Sequence, residues 1–322
     1  MRKLYFLPLL VIMLLLAPAL VSAQGLFGIG LPLVSSWGGV LSGPSGCCDP
    51  GLTCCPSVYV GYEIGLSRVR KPFNFGLDFD PALVRTYRLN TDFSDPGGLW
   101  LGVSNYCRIA DRVGVIASGW YLFPTSGNAE EIYSELADGF GANRVWSTNR
   151  SWGWIDGALV LGSQCGLNLI AGFRWDSYSV RLSNPTSANP PLRARGTPLD
   201  EADLTMNSYI PLLGTQFCCG GPCCGLLVRV VGFPWVPGHL RYGETGIVGT
   251  GSRLELNGNY SRAYFLEVFS EYSRNCSGFG CLGVFARWNY LDVRSHNREV
   301  VRAEPGPIRT SWTIGGKFTL NF

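Results

Sequence analysis

From residue 57 to the C-terminus, segments of about ten residues alternate apolar side chains with small or polar ones, and the gaps between them are sorted by length. A period of two is the mark of a half-buried strand. The segments are 57–68, 98–109, 113–123, 152–161, 166–182, 205–217, 225–233, 262–274, 281–293 and 311–322. In the first, Val58, Val60, Tyr62, Ile64 and Leu66 share one face, and Tyr59, Gly61, Glu63, Gly65 and Ser67 the other. In the fifth, Leu167, Leu169, Ala171, Phe173 and Trp175 oppose Asn168, Gly172, Arg174 and Asp176. The gaps 70–96, 124–151, 183–204, 234–261 and 294–310 are long, whereas 110–112, 162–165, 218–224 and 275–280 are short. Long and short alternate strictly, with both ends of the chain on the short-gap side. A soluble sandwich has no reason to sort its loops in this way; a membrane-spanning barrel does, with short turns on one side and long loops on the other. In lipid each unpaired N–H or C=O costs several kcal/mol, so the last strand must join the first. The sequence therefore predicts an all-β fold, a transmembrane antiparallel up-and-down β-barrel of about ten strands. Eight or twelve strands also fit, because 84–89 and 254–259 either add a hairpin or extend strands beyond the membrane.

The first residues read as a targeting signal. Arg2 and Lys3 precede an apolar run over 4–21, and Val21-Ser22-Ala23 supplies small residues for signal peptidase, leaving Gln24 as the mature N-terminus. The alternative is an N-terminal membrane helix, against which Pro18 and the small-residue exit argue. No Cys follows the run, as a lipoprotein anchor would require, and no second stretch of about 18 apolar residues offers a spanning helix. The expected organisation is a signal peptide over 1–23, a Gly- and Cys-rich periplasmic lead-in or plug over 24–56, and the barrel over 57–322. Charged residues make up only 15% of the chain, against about a quarter in soluble domains. The net charge of +3 is too small to imply nucleic acid as a partner.

The last strand ends the chain with a pattern of its own. Trp312, Ile314, Phe318, Leu320 and Phe322 lie on one face, and Thr313, Lys317, Thr319 and Asn321 on the other. This resembles the C-terminal assembly signal of Gram-negative outer-membrane β-barrel proteins, which ends in an aromatic residue preceded by alternate apolar positions. The resemblance is to the general class over 57–322, not to a narrower family. It implies insertion by the barrel-assembly machinery, residence in the cell outer membrane as a monomer, and contact with outer-membrane lipid.

Strand phase also sorts the charges. The inward face is expected to hold Glu63, Arg108, Asp156, Arg174, Asp176, Arg229, Glu267, Glu271, Arg287 and Lys317, five acids and five bases. A small barrel has an interior that side chains just fill, and open channels belong to barrels of roughly 16–18 strands. Balanced charges would pair across such a lumen, since buried charges persist only when paired. A charge-filled lumen points to a structural or surface-interaction role; the alternative is a narrow porin-like path for small solutes.

Twelve cysteines in an exported chain point to disulfides. Cys47, Cys48, Cys54 and Cys55 precede the first strand, Cys107 ends a strand, and Cys165, Cys218, Cys219, Cys223, Cys224, Cys276 and Cys281 sit in or beside short turns. All fall at the periplasmic rim, where they would staple the lead-in to the turns, with Cys276 and Cys281 able to close their own hairpin. A thiolate metal site is the alternative. The double pairs lack the two-residue spacing that suits zinc, no haem-attachment motif is present, and no metal or other cofactor is expected.

Surface hydrolysis is a third reading. Omptin-type proteases, also ten-stranded, need an acidic pair and an Asp–His pair at the outer rim. Asp78-Phe79-Asp80 looks like the first half, but His239 stands in Pro-Gly-His-Leu-Arg without an adjacent Asp, and His296 has Asp292 four residues back. Ser295-His296-Asn297 holds the residue types of a lipid esterase, yet adjacent strand positions point to opposite faces. Arg144, Arg150, Arg193, Arg195, Arg241, Arg253, Arg294, Arg298, Arg302 and Arg309 fall in the expected outer loops. Arginine forks suit phosphate, so these residues would hold lipopolysaccharide phosphates or form a solvated surface. Trp175, Tyr178, Trp288 and Tyr290 are expected in an interfacial aromatic belt.

Overall fold

The computed structural model describes residues 54–64, 68–77, 85–94, 97–110, 112–135, 140–162, 166–187, 201–219, 225–245, 253–275, 280–296 and 308–320. The signal and most of the lead-in lie outside them. Among the described residues every element is a strand: β1 (Cys54–Glu63), β2 (Arg68–Leu77), β3 (Arg85–Ser94), β4 (Leu99–Ala110), β5 (Val113–Glu135), β6 (Phe140–Gly162), β7 (Gly166–Ser187), β8 (Glu201–Cys219), β9 (Gly225–Phe233), β10 (Gly238–Thr245), β11 (Arg253–Asn275), β12 (Gly280–His296) and β13 (Ile308–Leu320).

The thirteen strands form a single antiparallel sheet, and three of them prolong another. Along β13, Glu63 lies opposite Thr313 and Arg68 opposite Thr310, so β2 continues β1. Along β5, Trp100 lies opposite Leu122 and Ser94 opposite Asn128, so β3 and β4 make one stave. Gly232 and Gly238 both face β8, at Leu213 and Ser208, so β10 continues β9. Ten staves remain. They close because β1 pairs β4 on one edge and β13 on the other, with 57–63 facing 319–313. The fold is the ten-stranded antiparallel barrel that the sequence predicts.

The faces follow the period of two. On β1, Ser57, Tyr59 and Glu63 are buried, whereas Val58, Val60, Tyr62 and Ile64 are exposed. Outward apolar side chains recur on most staves, with Val60 51%, Leu169 60% and Val284 63% exposed. A continuous apolar belt of this kind is unfavourable in water and favourable in hydrocarbon. Aromatic residues bracket it: Tyr209 and Phe217 on β8, Tyr264 and Tyr272 on β11, Trp312 and Phe318 on β13. Tyr209 and Phe217 are about 27 Å apart along the strand at ~3.4 Å per residue. A tilt of about 40° brings this to about 20 Å of height, near the ~25 Å apolar band of such barrels.

The strands run far beyond the belt. β5 and β6 each have 23 residues, against about 9–11 needed to cross a membrane. Most of the gap expected at 124–151 is therefore paired hairpin, from Thr125 opposite Arg150 to Glu135 opposite Phe140. Pro124 explains why the strand reads as ending at Phe123. It has no N–H to give the ladder, and the register shifts between Leu122 and Thr125. Pro234 and Pro237 interrupt the β9–β10 stave in the same way, and the ladder is bridged by Val236 N–H to the Ala263 carbonyl (2.9 Å) and Tyr209 N–H to the Pro237 carbonyl (2.9 Å). Of the segments 84–89 and 254–259, the described residues 85–89 and 254–259 extend staves rather than add a hairpin to the ring.

Val60→Arg, in the middle of the belt, should destabilise the barrel by roughly 2–4 kcal/mol. Ser126→Arg, exposed on the projecting part of β5, should change it by less than about 0.5 kcal/mol. Reversible denaturant titration of each variant in lipid bilayers checks the contrast.

Candidate functional site: the ion-paired lumen

Side chains on the inward phase of all the clear staves fill the barrel, and their ionic groups sit in tiers. Nearest the short-turn end, Lys317 on β13 donates to Glu271 Oε1 on β11 (2.5 Å), and the Tyr59 hydroxyl on β1 donates to Glu271 Oε2 (3.1 Å). In the next tier Arg174 on β7 bridges two carboxylates. Its Nη1 and Nη2 fork onto Glu267 of β11 (2.8 and 3.1 Å), while Nε and Nη2 meet Asp156 Oδ2 of β6 (3.0 and 2.7 Å). The Ser118 hydroxyl takes the other Asp156 oxygen (2.6 Å), and Arg229 Nη2 adds to Glu267 (3.3 Å). Above this, Arg309 of β13 forks onto Asp176 of β7 (2.8 and 2.9 Å), which also accepts from the Trp152 indole N–H (2.9 Å). Arg150 pairs with Glu63, and the Ser311 hydroxyl completes that carboxylate (2.6 Å).

Aromatic rings occupy the space between these tiers. Trp100, Trp152 and Trp154 pack on one another at 4.8–5.3 Å between centroids. The Arg287 guanidinium lies 3.8 Å from the centre of Trp120 and 4.3 Å from that of Trp154, and Arg309 lies 4.0 Å from Trp152. Planar cations stack on indoles more readily than an ammonium does, which fits the use of Arg here. A cavity of about 40 Å³ remains towards the short-turn end, beside Tyr59, Ser104, Gln216, Arg229 and Lys317. It has room for roughly three waters at ~10–15 Å³ each.

The structure brings together nine of the ten expected lumen charges. Arg108 is the exception; it lies at the rim, and its Nε donates to the Ala110 carbonyl (3.4 Å). Two members were expected elsewhere. Arg150 and Arg309, assigned to the outer loops, are buried in the lumen. The expected strands began at Trp152 and Ser311, two residues too late. Carrying the same phase one step further points both side chains inward. Tyr178, expected in the outer belt with Trp175, is fully buried inside, because positions three apart cannot share a strand face. Trp288 and Tyr290 do face outward and stack at 6.0 Å. In the assembly signal, Trp312, Ile314 and Phe318 point outward, Leu320 ends β13, and Phe322 lies outside the described residues.

At the short-turn end, Cys54 and Cys107 face each other in the β1–β4 register and form a disulfide, with Cα atoms 4.1 Å apart. Cys55 is also disulfide-bonded. Cys218, Cys219 and Cys281 carry thiols, which corrects the expectation of a disulfide for each and of a Cys276–Cys281 staple. Cys218 is buried in the lumen, accepting from Gln216 Nε2 at 3.0 Å, and its neighbour Cys219 points the other way. Cys47, Cys48, Cys165, Cys223, Cys224 and Cys276 lie outside the described residues. Among the described residues no group of His, Cys, Asp and Glu could hold a metal. His239 Nδ1 lies 2.8 Å from Asn259 Oδ1, so its ring is partnered by an amide rather than a carboxylate. Asp78 and Asp80 lie outside the described residues.

Among the described residues each lumen carboxylate is matched to at least one cation, so removing a cation strands a buried negative charge. Arg174→Met should cost roughly 3–5 kcal/mol, and adding Asp156→Asn and Glu267→Gln should recover much of it. Denaturant unfolding of the single and triple variants in micelles reads both numbers.

No known family and no curated protein matches the sequence. Solved structures do. The outer membrane protease OmpT of Escherichia coli superposes with a TM-score of 0.58 at 12% identity, over 84% of this chain and 97% of that one. OprG of Pseudomonas aeruginosa gives 0.33 at 9% identity, over 84% and 98%, and a FadL homologue of the same organism gives 0.28 at 10%, over 84% and 90%. At those two scores the overlap carries no argument. The likeness to the protease is one of fold, and this chain is built as an outer-membrane-type β-barrel.

Proposed function

We propose that this protein is an integral outer-membrane barrel with a closed lumen, exported by its N-terminal signal, whose role is structural or surface-interacting. The observation that carries the reading is the Arg309–Asp176 clamp. β13 and β7 stand five staves apart in the ring of ten, so this bidentate pair crosses the full width of the lumen. Arg174 to Glu267 and Arg150 to Glu63 cross three staves each. Ions entering such a lumen would have to break buried pairs. In a planar bilayer the refolded, oxidised protein should insert without conductance, and Asp176→Ser with Arg309→Ser should open small steps. Regular ohmic steps from the unaltered protein would replace this reading with the narrow solute path, with Arg174, Arg229, Glu267, Glu271 and Arg287 as selectivity residues.

With the lumen closed, contact with other molecules falls to the outer surface. Arg241 and Arg262 are exposed on the outward side of β10 and β11, and Arg262 lies next above the Tyr264 end of the apolar belt. That height suits the phosphates of lipopolysaccharide in the outer leaflet. Arg241→Gln with Arg262→Gln should lower the lipopolysaccharide retained through purification several-fold, measured by phosphate or endotoxin assay. Unchanged retention removes this ligand from the proposal.

A further inference from the structure

Among the described side chains, the lumen contains one cation more than its carboxylates match. Among the described residues the inward bases are Arg150, Arg174, Arg229, Arg287, Arg309 and Lys317, and the inward acids Glu63, Asp156, Asp176, Glu267 and Glu271. The surplus falls at Arg287. It makes no ion pair there, because Arg174 and Arg229 already occupy Glu267, and Arg174 occupies Asp156. Three stacked indoles, at 3.8, 4.3 and 5.2 Å, lie against its guanidinium, but ring faces give no acceptor to its N–H groups.

The hydrogen-bond inventory points to the same place. Arg287 is 2% exposed, yet its Nε and Nη2 have no partner. The indole N–H groups of Trp100 and Trp154, whose rings touch Arg287, have none either, nor do the Thr313 hydroxyl and the Asn289 amide. Thr313 is the cross-strand neighbour of Arg287, and Asn289 follows it on the same face of β12. A buried donor left unmet costs about 1–3 kcal/mol, more when charged. Asn289 Oδ1 is an unmet acceptor among these groups, but the donors of Arg287, Trp100 and Trp154 and the Asn289 Nδ2 outnumber it. Beside an unmatched positive charge, what they lack is an acceptor carrying negative charge.

We propose that the mid-lumen holds a single small inorganic anion of the halide class, on Arg287 and the donors of Trp100, Trp154, Thr313 and Asn289. The anion balances the lumen charge and satisfies these groups together, whereas a water would satisfy donors without balancing charge. A species that binds only the folded state raises stability with its concentration. This site is separate from the question of conductance, which the bilayer recording reads.

Bromide is the probe. Crystals grown from the full, refolded protein and soaked in bromide should show one anomalous peak within hydrogen-bonding reach of the Arg287 guanidinium. In micelles, replacing sodium gluconate by sodium bromide at fixed ionic strength should raise the melting temperature in a saturable way. Arg287→Met should abolish that dependence, and Arg181→Gln, on the exposed surface, should keep it. If Arg287→Met does not fold, the titration and the anomalous map of the unaltered protein decide the matter. A water at the site without anomalous signal, or a melting temperature indifferent to bromide, overturns the proposal.

Discussion

The ladder between β1 and β13 is the contact on which the other features depend. An open sheet has two edges of unpaired N–H and C=O groups, and hydrocarbon offers them no partner. Closing the ring through 57–63 and 319–313 removes both edges. Closure also separates two environments. Positions on one phase meet lipid, and positions on the other meet only the opposite wall of a narrow tube. From that point the hydrophobic effect acts outward, and Val58, Val60, Ile314 and Val284 are exposed for the same reason that a soluble protein buries them.

The interior then needs a different kind of packing. A ten-stave ring is wider than two layers of aliphatic side chains can fill, so the long residues meet in the middle. Arginine stacked on tryptophan supplies volume, and its fork supplies direction. Isolated buried ion pairs often stabilise no more than well-packed apolar groups would. Their value here is geometric: Arg309 on Asp176 and Arg174 on Glu267 tie staves that share no backbone ladder. Such ties fix the cross-section of the tube, which backbone pairing between neighbours does not.

How much of this could be read from the residues depends on the range of the signal. Strand faces are local, and the alternation in 57–64 or 281–291 assigns Glu63 and Arg287 inward without further knowledge. Strand ends are less legible. Pro124 and Pro234 look like terminators, yet the ladders on either side carry the chain across them, and separately, starting the expected strands at Trp152 and Ser311 displaced Arg150 and Arg309 from lumen to loop. Ion-pair partners were not legible at all, because Glu63 and Arg150 are 87 positions apart and Asp176 and Arg309 are 133 apart. Cysteine pairing depends on register in the same way. Cys54 meets Cys107 only because β1 runs back along β4 to Cys107, while Cys218 turns inward and keeps its thiol.

The strand lengths carry the reading of the outer surface. An anchor needs only enough strand to cross the bilayer, and β5, β6 and β11 run to 23 residues each. Residues in flexible loops lose backbone entropy when a partner orders them. Residues in paired hairpins have lost it already, so a contact made there retains more of its interaction energy. The sequence spends its length on such hairpins at one end and on turns of a few residues at the other. On the proposed reading, in which Arg309 and Asp176 close the tube through its middle, that asymmetry would serve not a conduit but a stiff platform raised above the membrane, with the lumen charges keeping the platform in shape.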